Sequence, residues 1–302
     1  MHDLPPVCLG LGNVGGIGSA PEFFGQGETE EGAFAIMDAA WAFGLTWFDT
    51  ADAYGGGRSE AAIGRWIAAT GKRPRITTKT FNPMEEGADH GLARDRVLRQ
   101  VETSLERLGV GLVDLYLMHE APDVPAEDAV ATFEEVVASG AARAWGVSNV
   151  GGGQLRAILR AGAPAAIQNS YSLLDRGDEE ELLPLCAEHG IAYQAFSPLC
   201  GGWLAGKYRR GEPPPPGSRM TMRPEPYLHL RDDRVFDGLE ELERLAADRG
   251  VSTAGLALAW VVSGGVSAVC GPRRPEHLEP VREALGLRLP AGDRERLRSL
   301  FP

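Results

Sequence analysis

VCLGLGNVGGIGSAP, residues 7–21, decides between two folds. Its first part reads as an apolar strand, Val7–Leu9. Gly10-Leu-Gly12-Asn-Val-Gly15 then matches the GxGxxG pattern of dinucleotide-binding, doubly wound sheets. The next residues break the match. The chain runs on as Gly16-Ile-Gly-Ser-Ala-Pro21, which does not open a helix, and the next helical pattern begins only near Glu30. No helix N-terminus would meet a pyrophosphate. Nor does an acidic residue end a second strand at the spacing of about 20 residues that such a site needs; Asp49 comes too late. In a chain with 39 glycines the pattern alone is weak. These glycines read instead as a loop turning tightly over the mouth of a different fold.

Working outward, short apolar runs alternate with amphipathic segments along the whole chain. The runs are Val7–Leu9, Leu45–Phe48, Arg75–Thr78, Leu112–Met118, Ala144–Val147, Ala166–Gln168, Ile191–Phe196 and Val266–Cys270. They are compact and continuous, as strands buried on both faces of a parallel sheet must be. Between them, Phe34, Met37 and Trp41 recur at helical steps. So do Ile63, Trp66 and Ile67; Val97, Val101, Leu105 and Leu108; and Val130, Phe133 and Val137. Further helical patterns cover 154–161, 178–189, 235–249, 253–262, 275–284 and about 293–300. Eight strands alternating with about eight helices predict a (β/α)8 barrel, with a doubly wound sheet as competitor. No composition break marks a boundary, so residues 1–302 read as one domain with a long loop at about 197–233, which contains the run Pro213–Pro216.

The bulk numbers exclude some functions. A net charge of −12 argues against a general nucleic-acid binder, which needs a basic face. No apolar run approaches the length that spans a bilayer, and the first residues lack a signal-peptide pattern. The four cysteines, Cys8, Cys186, Cys200 and Cys270, are scattered and read as free thiols of a cytoplasmic protein. The six histidines show no metal-binding pairing, so no metal site is expected.

Polar residues gather at the C-terminal ends of the strands, which in a parallel barrel share the catalytic face. Strand two ends in Asp49, with Tyr54 in its loop. Strand three ends in Lys79, strand four in His119 and strand five in Ser148-Asn149. Strand six carries Gln168, and strand seven ends in Phe196-Ser197. Singly each reads as ordinary loop chemistry, since Asp caps turns. Four ionisable groups on successive strand ends read as a site.

FDTADAYG with RSE, TTK, DLYLMH, GVSN, IQNSYSLLDR and FSPLCGGWLAGKY resemble the aldo-keto reductase superfamily, in order and over essentially the whole chain. The resemblance implies a (β/α)8 barrel binding NADP(H) without a doubly wound domain. It implies a catalytic tetrad of Asp49, Tyr54, Lys79 and His119. Ser148, Asn149 and Gln168 take the positions that bond the cofactor carboxamide, and Phe196 that of the aromatic on the nicotinamide ring. Ser197, Leu199, Gly201 and Lys207 fall in the pyrophosphate segment. GPRRPEHLEPV aligns Gly271, Arg273, Arg274 and His277 with the adenosine end, with Val281 where an adenine-contacting Asn is usual.

The chemistry agrees with that mapping. Carbonyl reduction needs a proton for the developing alkoxide. A free tyrosine titrates near 10. An adjacent Lys79 ammonium is expected to lower that value, Asp49 to pair with Lys79, and His119 to donate to the carbonyl oxygen. Tyr54 is then general acid in reduction and base in oxidation. The partner expected is a small carbonyl compound: an aldehyde, a ketone or a keto-sugar. Phe23, Phe24, Phe81, Met84 and Trp203 are the candidates for its pocket. Oxidation of an alcohol or sugar, a non-catalytic NADP(H)-binding subunit and another barrel enzyme stay open as alternatives, and oligomeric state is not legible.

Overall fold

The computed structural model describes residues 4–302. Eight parallel strands close into a barrel in chain order. They are β1 Val7–Gly10, β2 Trp47–Asp49, β3 Arg75–Thr80, β4 Leu115–Met118, β5 Trp145–Ser148, β6 Ala166–Ser170, β7 Ala192–Phe196 and β8 Ser267–Cys270. β1 pairs with both β2 and β8, which removes every edge. The doubly wound competitor is thereby excluded.

The helices are α1 Glu30–Phe43, α2 Arg58–Thr70, α3 Arg94–Leu108, α4 Ala126–Ala138, α5 Gly152–Leu159 and α6 Leu182–His189, then the single turn α7 Arg219–Met222, α8 Asp233–Asp248, α9 Thr253–Val262, α10 Glu279–Gly286 and α11 Ala291–Arg298. α1 shows why the sequence folds so. Thr29 accepts from the Gly32 amide at 3.2 Å and caps its start. Gly44 ends it in the left-handed conformation, φ 97°. Ala33, Ile36, Met37 and Ala40 form its buried face, flanked by half-buried Phe34 and Trp41. Trp66 on α2 is fully buried against Phe48, with ring centroids 5.3 Å apart.

Strand four is shorter than its apolar run, because Leu112–Val113 joins the sheet only by the bridge of Val113 to Ala142. The segment between β7 and α8 is not featureless. It holds 3-10 turns at Cys200–Ala205 and Glu225–Leu230 around α7.

Two apolar regions hold the barrel. The larger lies between strands and helices. A smaller one, with Cys8, Trp47, Leu115, Leu117, Ala166 and Val269, fills the lower lumen. Because side chains alternate along a strand, Trp47 and Asp49 enter the same lumen at different heights. The polar layer of Asp49 and Lys79 lies above Trp47, further toward the C-terminal ends of the strands. No single helix among the described residues is long and apolar enough to cross a membrane.

Candidate active site

The polar layer begins with Lys79, whose ammonium is fully buried. It lies 2.6 Å from Asp49 Oδ1, 2.8 Å from the Thr50 carbonyl and 3.4 Å from the Tyr54 hydroxyl. Three donors therefore have three oxygens, which is what a buried ammonium requires. The other Asp49 oxygen accepts from Gln168 Nε2 at 2.7 Å, across the barrel from β6 to β2. Tyr54 sits on the turn after β2, and its ring meets the His119 ring edge-on at 5.4 Å. His119 Nδ1 is buried without a partner, which leaves Nε2 as the nitrogen open to a ligand. The four residues named from strand ends thus meet at one point.

Their proton affinities correct one expectation. Burial raises the Tyr54 pKa above its ordinary 10, and the nearby Lys79 charge offsets this only in part. Lys79 acts in the direction expected from sequence, and burial outweighs it, so the net shift is upward. Asp49 holds the same ammonium more tightly than the phenol does, and desolvation of a phenolate is the larger effect. For Lys79, burial opposes the charge, but Asp49 and Tyr54 more than compensate and its pKa is raised. His119 is pushed well below 6.5 by burial, then by Lys79, so its ring is neutral.

Above this layer opens a cleft of about 990 Å³. All four residues but Lys79 line it, and so do Ser148, Asn149, Gln168, Phe196, Ser197, Leu199, Gly201, Lys207, Gly271, Arg273 and His277. Of the cofactor residues named from sequence, Arg274 alone stands outside it, exposed. The amides are oriented by their own bonds. Asn149 Nδ2 donates to the His119 carbonyl at 2.8 Å, and Gln168 Nε2 is taken by Asp49 and Gln194. Among the described residues Asn149 Oδ1 and Gln168 Oε1 accept no bond and are left for a donor. Ser148 Oγ donates to the Gln168 carbonyl at 2.7 Å.

Backbone strain concentrates here. The three non-glycine residues with positive φ among the described residues are Asn149, Ser197 and Cys200, at 54°, 51° and 46°. Such conformations cost about 1–3 kcal/mol each and persist where surroundings enforce them. Gly201 and Gly202 continue the turn. A Cβ on Gly202 would lie 2.1 Å from Lys207 Cε, so the lysine stem lies across that glycine.

Four cations crowd the cleft: Lys207, Arg219, Arg223 and Arg273. Burial lowers the pKa of Lys207, with Arg273 and Arg219 adding to it. Arg219 is lowered in the same way, by burial and then Arg273 and Arg223. Like charges gathered in one cleft of an acidic chain mark a place for an anion. Arg219 donates to Asn13 Oδ1 at 2.5 Å, and Arg273 to Glu28 at 2.5 Å and the Gly217 carbonyl at 2.6 Å. These bonds join the β7–α8 segment to the β1 loop and to the exit of β8. The Arg273 amide donates to His277 Nδ1 at 3.2 Å. Val281 is buried and, with Ala254 and Leu258, makes an apolar wall.

Sequence reasoning missed Asn13, Arg219, Arg223 and Tyr227, which lie in loops or in single short turns without apolar periodicity; the one signal was the clustering of Arg219 and Arg223 near prolines in a long connection. Its apolar pocket candidates, four aromatic residues and Met84, also need correction, for none of the five lines the cleft. Trp203 is 2% exposed and packs on Tyr208 and Phe236. Phe81 faces His90, and Phe24 covers Gly56. Phe23 lies under the Arg223 guanidinium, and Met84 approaches the Tyr54 turn through its carbonyl, 3.0 Å from a Cβ built on Gly56. Apolar area favours packing between loops over standing in an open mouth. The mouth is lined instead by Ile17–Glu22, Asn82, Glu120, Met222 and Tyr227.

The residues fit a dinucleotide: free amide oxygens and an aromatic lie near Tyr54, and a basic cluster over glycines with left-handed backbone lies further along. Known proteins resemble the chain over most of its length. The chain is 32% identical to the uncharacterized oxidoreductase YrpG of Bacillus subtilis, over 98% of this chain and 92% of that one. It is 31% identical to the NADH-specific methylglyoxal reductase of Escherichia coli, over 99% and 95%. It is 32% identical to a probable voltage-gated potassium channel subunit beta of Oryza sativa, over 82% and 79%. Among solved structures, the glycerol dehydrogenase of Gluconobacter oxydans aligns with a TM-score of 0.84 at 27% identity, covering 98% and 91%. An aldo-keto reductase of Klebsiella pneumoniae in complex with NADPH aligns at 0.76 and 28% identity, covering 99% and 92%. The aldo/keto reductase family profile matches residues 6–301, and the chain belongs to that family.

Proposed function

We propose that this protein is an NADP(H)-dependent reductase of a small aldehyde or ketone, with Tyr54 as proton donor. The observation that supports it most is the buried run from Asp49 through Lys79 to Tyr54, beside the neutral ring of His119 at the floor of the cleft. When bound, NADPH supplies the hydride. Tyr54 and His119 Nε2 hold the carbonyl oxygen between them. The Tyr54 phenol, kept protonated by burial, gives its proton to the alkoxide oxygen. Lys79 then stabilises the phenolate left behind, and Asp49 keeps Lys79 in place. Asn149 Oδ1 and Gln168 Oε1 would accept from the cofactor's carboxamide, and Phe196 would offer its face to the nicotinamide ring. In oxidation the same groups run in reverse.

A non-catalytic binding subunit is the second reading, because relatives include proteins named as channel subunits. A complete tetrad favours the enzyme. Following NADPH absorbance with a panel of aldehydes, ketones and keto-sugars separates the two. Consumption no faster than the substrate-free rate for every compound would remove the reductase reading.

Cofactor choice is expected to rest on local charge. The 2′-phosphate is what distinguishes NADPH from NADH, and in a chain of net charge −12 it needs cations close by. Arg274 makes no side-chain bond among the described residues, and Arg273 beside it is held by Glu28. Arginine suits phosphate through its planar fork. Replacing both with alanine weakens NADPH binding by about 1.5–3 kcal/mol per lost charged bond, and NADH binding hardly changes. Titration by tryptophan fluorescence reads both constants. Equal losses for the two cofactors would refute the assignment.

A further inference from the structure

Glu120 comes directly after His119 and lines the same cleft. Its side chain is half-buried, and no cation among the described residues pairs with it. Its donors are amides, Asn149 Nδ2 at 3.5 Å from Oε1, and Asn82. The four cations of the cleft cluster with one another instead. Its partner Asn149 Nδ2 also donates to the His119 carbonyl at 2.8 Å, which ties Glu120 to the His119 side of the floor.

A carboxylate partly removed from water needs donors for its free lone pairs. The two amides leave some of them facing the cleft. A carbonyl compound held between Tyr54 and His119 brings the atoms next to its carbonyl alongside the next residue in the chain. A hydroxyl there donates to Glu120. An alkyl group leaves the carboxylate with fewer partners, and an anionic group is repelled. We propose that Glu120 selects carbonyl substrates that carry a hydroxyl beside the carbonyl, by accepting that hydroxyl's hydrogen bond. The proposal rests on the reductase reading and names the substrate class of that site: hydroxylated aldehydes and ketones.

The test uses three aldehydes with NADPH: glyceraldehyde, propanal and glyoxylate. The readout is the quotient of kcat/KM values within each protein, so any general loss of activity cancels. In Glu120→Leu the glyceraldehyde-to-propanal quotient falls by about tenfold or more, the size of one hydrogen bond to a charged group. In Glu120→Gln, which keeps an acceptor but not the charge, it falls by less. The glyoxylate-to-propanal quotient rises in both. Quotients equal to wild type in both variants overturn the role of Glu120 and leave the reductase reading standing. A wild type that reduces none of the three, nor any compound of the wider panel, overturns that reading and this proposal together.

Discussion

Tyr54→Phe slows carbonyl reduction by about 10²–10⁴-fold, the usual weight of a general acid. Phenylalanine keeps the ring against His119 and removes only the hydroxyl that lies 3.4 Å from Lys79 Nζ. Binding of the cofactor, read by fluorescence, changes little. The pH dependence carries a second mark. Burial raises the Tyr54 pKa, so the phenol is protonated throughout the neutral range and reduction does not depend on its titration there. Oxidation of the alcohol needs the phenolate, so its rate climbs as pH rises toward that raised pKa. His119, held well below 6.5, adds no step between pH 6 and 7. Equal reduction rates for Tyr54→Phe and wild type would exclude Tyr54 as the acid.

Lys79→Met acts on rate and stability together. It strips Asp49 of its ion pair, both of whose side chains are buried. Breaking a buried pair by removing one partner costs about 3–5 kcal/mol, so the thermal midpoint drops by several degrees. Loss of a charge that stabilises the transition state costs about 10²–10³ in rate. The two effects separate in Asp49→Asn combined with Lys79→Met, which removes both charges. That double variant regains much of the thermal midpoint and none of the rate. A single variant with wild-type kcat would show that Lys79 is only a structural ion.

The barrel was legible because its strands are buried on both faces and stand out as continuous apolar runs. Asp49, Lys79 and His119 could be read because each ends such a run, and strand ends share one face whatever the loops do. Tyr54 comes from the same run, five residues on. The loops were another matter. Phe81 and Trp203 are apolar, but composition does not say whether a loop aromatic packs inward or lines a mouth, and here it packs. Arg219 and Arg223 reach the cleft because the β7–α8 segment folds back over it, a path without periodicity to betray it. The direction of the Tyr54 shift is set first by how deeply the phenol is buried, and only then by Lys79 and Asp49, and burial of a loop side chain cannot be read from its neighbours in sequence.

The turn after β1 and the turn carrying Tyr54 touch backbone to backbone. A Cβ on Gly16 would lie 2.8 Å from the Gly55 Cα, and one on Gly55 2.7 Å from the Gly15 carbonyl carbon. For protein engineering, the two loops are therefore a single graftable part. A β1 loop borrowed from a relative to change substrate range displaces the acid unless its glycines come with it, and randomised libraries that spare Tyr54 but vary Gly16 or Gly55 will be filled with inactive, misaligned clones.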